Sequence, residues 1–248
     1  MSAQSQYEAM FSGVIGKEYH ALSLICPLAA QMSRLVGEAV ADYSKNHSHT
    51  LNIVELGGGT GITSSAILSA SENMVLTSVD NEPTMQQQAQ HSLQHWHEQG
   101  RLIFSANDAL TALKQLPSNS VDIVASAYTL HNFLHDYRAQ VIAEIFRVLK
   151  VGGQFINGDR YGLDDISAHT LTVQNELAGY FKVFTAQNRL DLLEQWTIHL
   201  FCDESENHLM RESVALAQLT DAGFVDIELS HRAEINALVT AFKPTATE

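Results

Sequence analysis

Apolar positions recur with two alternating periods along this chain of 248 residues. Leu28, Met32, Leu35, Val36 and Val40 return every three or four positions. That spacing predicts an amphipathic helix from Pro27, which suits a first helical turn, to about Ser44. After the polar loop Asn46-His47-Ser48-His49, the run Ile53, Val54 and Leu56 reads as a buried strand, closed by Gly57-Gly58-Gly59-Thr60-Gly61. Helical spacing resumes with Ile62, Ala66, Ile67 and Ala70.

The succession then repeats. Val75–Val79 reads as a second strand, ending at Asp80-Asn81, and Pro83 opens a long polar helix to about His97. Leu102–Phe104 is a third strand, ending near Asn107-Asp108, and Val121–Ala125 a fourth. A helix from about Asp136 to Lys150 buries Val141, Ile142, Ile145, Phe146 and Leu149; Gly152-Gly153 stops it, and Gln154–Asn157 begins a fifth strand. Strands alternating with helices predict a parallel sheet with crossover helices, whose connections gather at one edge.

Residues 163–211 are long for a plain crossover. Leu171, Leu177, Tyr180 and Phe181 suggest one helix, and Leu190, Leu193, Trp196 and Leu200 another. Such an insertion lies over the reactive edge as a substrate lid, or serves as extra core helices or a dimer surface. Glu212–Ala222 then reads as a helix closed by Gly223, Phe224–Leu229 as a half-buried strand and Ala237–Phe242 as the last. The expected fold is one α/β domain over residues 1–248. Its sheet is Rossmann-like, seven-stranded and mostly parallel, with helices on both faces, an antiparallel last hairpin and the helical insertion at 163–211.

Composition narrows the function. A hydrophobic content of 45% fits a globular chain, and no apolar run approaches the ~20 residues of a membrane span. Met1–Gln6 lacks the basic start and apolar core of a signal peptide, and Cys26 and Cys202 suggest no disulfide framework, so a reduced cytoplasmic setting is expected. A net charge of −14 argues against nucleic acid and anionic membrane as partners.

Candidate chemistry collects at the strand ends, where ligands of open α/β sheets bind. The spacing Glu55-x-Gly57-x-Gly59-x-Gly61 differs from the Gly-x-Gly-x-x-Gly of a dinucleotide loop and carries an acid inside the strand. Asp80 ends the second strand, where a carboxylate can accept from two ribose hydroxyls. Asp108 ends the third, where with the Ala109 N–H it can read an adenine edge, or simply cap the next helix. His131 follows the fourth strand as a candidate general base or as a pocket wall, and Asp159-Arg160-Tyr161 ends the fifth. His199, Asp203 and His208, with His169 nearby, have loose spacing; among twelve histidines such grouping is read as chance, and no metal site is expected. No nucleophile motif and no Lys-containing phosphate loop is present.

These motifs resemble class I S-adenosylmethionine (SAM)-dependent methyltransferases over roughly residues 52–161. The resemblance rests on the glycine motif with Val79-Asp80-Asn81-Glu82-Pro83-Thr84-Met85, Ala106-Asn107-Asp108-Ala109 and Arg147-Val148-Leu149-Lys150-Val151-Gly152-Gly153. Asp80-Asn81 with Pro83 and Met85, Tyr128-Thr129-Leu130, and the layout of the tail are similar in part to the carboxy-SAM synthase-like proteins. Ala127 stands where that subgroup has an asparagine.

The resemblance implies a SAM cofactor held by Glu55, Gly57, Gly59, Gly61, Asp80 and Asn81, by Met85, Asn107, Asp108 and Ala109, and by Ala127. Tyr19 is a further cofactor candidate, and with Tyr7 and Phe11 it also fits core packing. His131, Arg160 and Tyr161 are the expected catalytic residues. The implied activity is methyl transfer to a small-molecule acceptor. The alternatives are modification of SAM itself, as in the carboxy-SAM subgroup, and a SAM-binding module without turnover. A second copy of the chain is a further expected partner.

Overall fold

Strand β1 (Leu51–Leu56) owes its central place to a side-chain alternation that buries both of its faces. Val54 and Leu56 enter one hydrophobic core, while Leu51 and Ile53 enter the core on the opposite face. The computed structural model describes residues 28–245, so Tyr7, Phe11 and Tyr19 lie outside the described residues.

In chain order, α1 (Leu28–Ser44) precedes β1, and α2 (Ile62–Ala70) and β2 (Met74–Val79) follow it. Then come α3 (Pro83–Ser92), α4 (Gln94–Glu98), β3 (Leu102–Ser105), α5 (Ala109–Gln115) and β4 (Val121–Ala127). A 3₁₀ turn (Leu130–Asn132) leads to α6 (His135–Val148) and β5 (Leu149–Arg160). The insertion supplies α7 (Ile166–Ala186) and α8 (Leu190–Asp203), and α9 (Glu212–Ala222), β6 (Val225–Ala233) and β7 (Asn236–Phe242) complete the fold.

The seven strands stand in the order β3-β2-β1-β4-β5-β7-β6, and β7 alone runs against its neighbours. The expected Rossmann-like sheet with helices on both faces is therefore what the chain forms. On one face α1 buries Met32, Val36 and Val40 completely, each worth roughly 1.5–3 kcal/mol against water. On the other, α6 buries Val141, Ile145 and Val148 beside Leu219 of α9. Strand order reverses between β1 and β4, which opens a crevice at their carboxyl ends.

Three details differ from the sequence reading. The polar helix after Pro83 breaks at Leu93, whose backbone leaves the helical region (φ −109°, ψ 15°) while its side chain packs against Gly61. Helix α6 stops at Val148, four residues before the glycines, because Leu149 turns extended to pair with Val121. Gly152 and Gly153 then lie inside β5: Gly152 has φ +75°, and a Cβ on Gly153 would sit 3.0 Å from the Asp122 carbonyl oxygen. Strand β6 continues past Leu229 to Ala233 as the open edge of the sheet, which is why it is hardly buried; two register shifts interrupt its pairing with β7.

Residues 163–211 do form two helices. Tyr180, Phe184, Leu192, Trp196 and Leu200 give them a small core of their own, separate from the two cores of the sheet.

Candidate functional site

The turn after β1 builds one wall of a cleft at the carboxyl edge of the sheet. Gly57, Gly59 and Gly61 all take positive φ, at 72°, 51° and 91°. A Cβ on Gly57 would fall 1.9 Å from Thr129 Oγ1, so the loop can pass close under the segment after β4 only as glycine. Gly61 caps α2, and its bare Cα makes room for Leu93; it supports the loop from behind and does not line the cleft.

Gly57 and Gly59 face the cleft with Asp80, Asn81 and Met85 from the β2 end. Asn107, Asp108 and Ala109 come from the β3 end, and Ala127 from the β4 end. Nine of the residues expected at a cofactor site are thus brought together. Glu55 is not among them: it is fully buried behind the loop, where Ser64 donates to its Oε2. Its Oε1 has no hydrogen-bond partner among the described residues. Burial pushes its carboxyl up to about 7, against the opposing bonds from Ser64 and Ser78.

Asp80 tightens the cleft floor. Its Oδ2 accepts from the Gly59 N–H at 2.7 Å and its Oδ1 from the Glu82 N–H at 2.8 Å. Burial raises its pKa, and those two bonds oppose the rise. Gln86 donates to the carbonyls of Asp80 and Ser105, which ties the ends of β2 and β3.

Asp108 does cap α5, accepting from the Thr111 N–H at 2.9 Å, and it also accepts from the Tyr137 hydroxyl at 2.9 Å. Burial raises its pKa, but the bonds from Thr111 and Tyr137 outweigh that and hold it below the usual carboxylate range. Capping and cleft lining are therefore one arrangement here.

The remaining lining could not be read as a set. Tyr128, Thr129, Asn132 and Phe133 follow β4, and Tyr137 reaches in from the first turn of α6. Tyr128 has φ +50° and donates from its hydroxyl to Asn236 Oδ1 at 2.6 Å. The Tyr128-Thr129 pair was visible as a motif. Tyr137 had no local signal, because only the packing of α6 beside α5 brings it to Asp108. Among the described lining residues there are three carboxylates, Asp80, Glu82 and Asp108, and no basic side chain.

His131, Arg160 and Tyr161 sit behind that wall and do not line the cleft. His131 is buried; its Nδ1–H donates to Asp159 Oδ1 at 2.5 Å, and its ring stands edge-on to Tyr128, 6.0 Å between centroids. Asp159 also accepts from the backbone N–H groups of Leu130 and Arg160. Burial raises the Asp159 pKa, but His131 and these N–H bonds outweigh that and leave it lowered. Arg160 gives Nη1 and Nη2 to Glu176, at 2.8 and 3.1 Å, and Nη2 also to Glu204 at 3.1 Å, so the insertion occupies its guanidinium. The Tyr161 hydroxyl accepts from Asn157 at 2.7 Å, and burial pushes its phenol pKa up. Burial lowers the His199 pKa, opposed by Asp203.

Comparison with known proteins fits this geometry. Residues 54–157 match a family described as a methyltransferase domain. Two curated relatives, the demethylmenaquinone methyltransferases of two Leptospira interrogans strains, are 35% identical over 120 residues, covering 48% of this chain and 47% of theirs. The chain thus spans about half the length of the curated relatives it matches. Among solved structures, the CurJ carbon methyltransferase aligns over 96% of this chain and 61% of its own, with TM-score 0.68 and 15% identity. An O-methyltransferase family protein from Burkholderia thailandensis aligns over 88% and 58% with TM-score 0.64 and 15% identity. A putative SAM-dependent methyltransferase from Methanococcus maripaludis aligns over 94% and 93% with TM-score 0.61 and 16% identity. At these identities the structural likeness speaks for the fold.

Proposed function

We propose that this chain, which carries a methyltransferase domain at residues 54–157 on the class I SAM-dependent methyltransferase fold, transfers a methyl group from SAM to a small-molecule acceptor. The observation that carries the reading is the cleft lining: a glycine turn and strand-end acids, with no basic side chain among its described residues to meet a phosphate. Such a lining suits ribose hydroxyls, an adenine edge and a sulfonium cation.

Within it, Asp80 keeps free lone pairs on both oxygens for ribose hydroxyls. Asp108 and the Ala109 N–H face an adenine edge, and Gly57 and Gly59 let the backbone approach the amino-acid end. Asn81, Met85, Asn107 and Ala127 shape the walls. Bound SAM supplies a methyl carbon already activated by the sulfonium. What falls to the chain is alignment of the acceptor atom with that carbon and exclusion of water. We assign the lid to the insertion over 163–211, which is anchored behind the cleft wall through Arg160, lines none of the cleft here, and would have to swing over it when ligand binds. His131, Arg160 and Tyr161 support turnover from behind the wall, by holding the Tyr128 segment and the lid in place.

We further place the protein in the cytoplasm, with Cys202 a free thiol. No described helix is long and apolar enough to cross a membrane. A homodimer through the insertion draws support from the exposed apolar side chains Ile166, Leu171, Phe181, Leu190 and Phe201.

Incubation with methyl-labelled SAM and a metabolite pool, demethylmenaquinone included, tests the reading. Label on an acceptor supports it. Label in an altered nucleoside points instead to a SAM-modifying enzyme, and SAM bound but unchanged points to a binding module.

A further inference from the structure

A second polar centre lies where the insertion meets the sheet edge. His199 and Asp203 stand one turn apart on α8 and face His131 in the 3₁₀ turn after β4. One donor atom from each falls within 4.8 Å of the others, and all three residues are buried. Nε2 of His131 is 3.8 Å from Asp203 Oδ2, and Nε2 of His199 is 3.7 Å from the same oxygen. Ligand atoms bound about 2.0–2.1 Å from a tetrahedral zinc ion lie about 3.4 Å from one another. The two distances to Asp203 exceed that spacing by a few tenths of an ångström, and the two imidazoles, within 4.8 Å of each other, close by at most about 1.4 Å to complete the set.

Two further observations point to a cation. Asp159 takes the Nδ1–H of His131 and is itself fixed by backbone N–H groups, which turns the Nε2 lone pair toward Asp203. That carboxylate–histidine pairing is the outer support characteristic of metal-bound imidazole. The charge count is also unbalanced. Four carboxylates, Asp159, Asp203, Glu176 and Glu204, none more than 16% exposed, lie near two guanidiniums: Arg160, within ion-pair range of the last three, and Arg138, which gives its N–H groups to carbonyls and senses Asp159 through space. With His169, 2.6 Å from Glu204, and the other histidines counted as neutral, carboxylates outnumber guanidiniums by two in a region nearly closed to water, where excess charge is costly.

We propose that His131, His199 and Asp203 bind one divalent transition-metal ion, zinc by ligand type, with a water as fourth ligand. A small cavity bordered by His131, Asp203 and Arg160 adjoins two of the three donors, on the side where that water would sit. Two imidazoles and one carboxylate form a recurrent zinc set, and the open position marks a site not closed by protein. Since His131 belongs to the sheet edge and the other two ligands to α8, the ion pins the insertion to the core behind the cleft wall. The rival, protonation of the histidines, balances the same charge without any metal and is separated by experiment. The proposal does not depend on which reaction the cleft performs.

The test uses the tag-free full chain stripped with a chelator and then titrated calorimetrically with zinc chloride. The expected result is saturable 1:1 binding and, with cobalt in place of zinc, the visible bands of a tetrahedral ion. His199→Gln and Asp203→Asn should each abolish 1:1 binding, and Asp159→Asn should weaken it 10–100-fold. His95→Ala, at an exposed histidine, should leave it unchanged. If the ligand variants fail to fold, X-ray absorption on the zinc-loaded wild type decides, with two imidazoles and oxygen expected in the first shell. No saturable zinc uptake, binding indifferent to both ligand changes, or a shell without imidazole overturns the proposal.

Discussion

Replacing Asp80 by alanine tests the cofactor assignment most directly. Its two oxygens already accept from the Gly59 and Glu82 N–H groups, at 2.7 and 2.8 Å, so the carboxylate is fixed before any ligand arrives. Each oxygen keeps a lone pair for a ribose hydroxyl. A hydrogen bond to a charged group contributes roughly 1.5–3 kcal/mol, so losing two costs about 3–6 kcal/mol, or about 10²–10⁴-fold in SAM affinity. The loss of the Gly59 N–H partner adds to this by freeing the glycine loop. Asp80→Asn should lose less, since it keeps one acceptor oxygen and the same volume. Calorimetric titration with SAM and with its demethylated product reads both variants, and circular dichroism checks that they fold. A folded Asp80→Ala protein that binds SAM within threefold of wild type would refute the reasoning. So would tight binding of NAD by the wild type with none of SAM.

Gly57→Ala should be destabilised by roughly 2–5 kcal/mol, about 1–2 for left-handed backbone and the rest for the overlap with Thr129, read as a lowered urea midpoint. An unchanged midpoint would mean that the loop is not held as described. Glu55 gives a pH dependence: its folded carboxyl, at about 7, holds a proton more tightly than the unfolded one near ~4.5. The stability this gives is complete below the unfolded value and is lost as pH rises through about 7, by an order of 3 kcal/mol. Glu55→Gln should flatten that decline in denaturation curves taken across the window; an identical slope would exclude Glu55 as its source. SAM should slow amide exchange across residues 163–211 as well as in the glycine loop if the insertion closes over the cleft, whereas protection confined to the loop and Asp80 would mark a static element. Arg160→Lys should spare SAM affinity and lower turnover, because an ammonium cannot hold Glu176 and Glu204 as the guanidinium fork does; full turnover would remove Arg160 from the machinery.

What the sequence determined by itself was whatever depends on local order. The period-two and period-3.6 patterns fixed the alternation of strands and helices, because each element must bury an apolar face of its own. The glycines and strand-end acids could be read as one cleft because a parallel sheet carries successive strand ends to the same edge. Boundaries were harder. Leu149 is as apolar as a helix residue, and only its pairing with Val121 ended α6 where it does. Roles that depend on depth or on distant partners were decided by tertiary structure alone. Glu55 reads as a ligand group beside the glycines, yet β1 is buried on both faces and carries it into the interior. Tyr137 reaches Asp108 only because α6 lies beside α5. His131 read as a candidate base or pocket wall, and His199, Asp203 and His208, with His169 nearby, as a chance grouping. His131, His199 and Asp203 meet because the insertion folds back on the carboxyl edge, and contacts between residues so distant along the chain leave no period in the sequence.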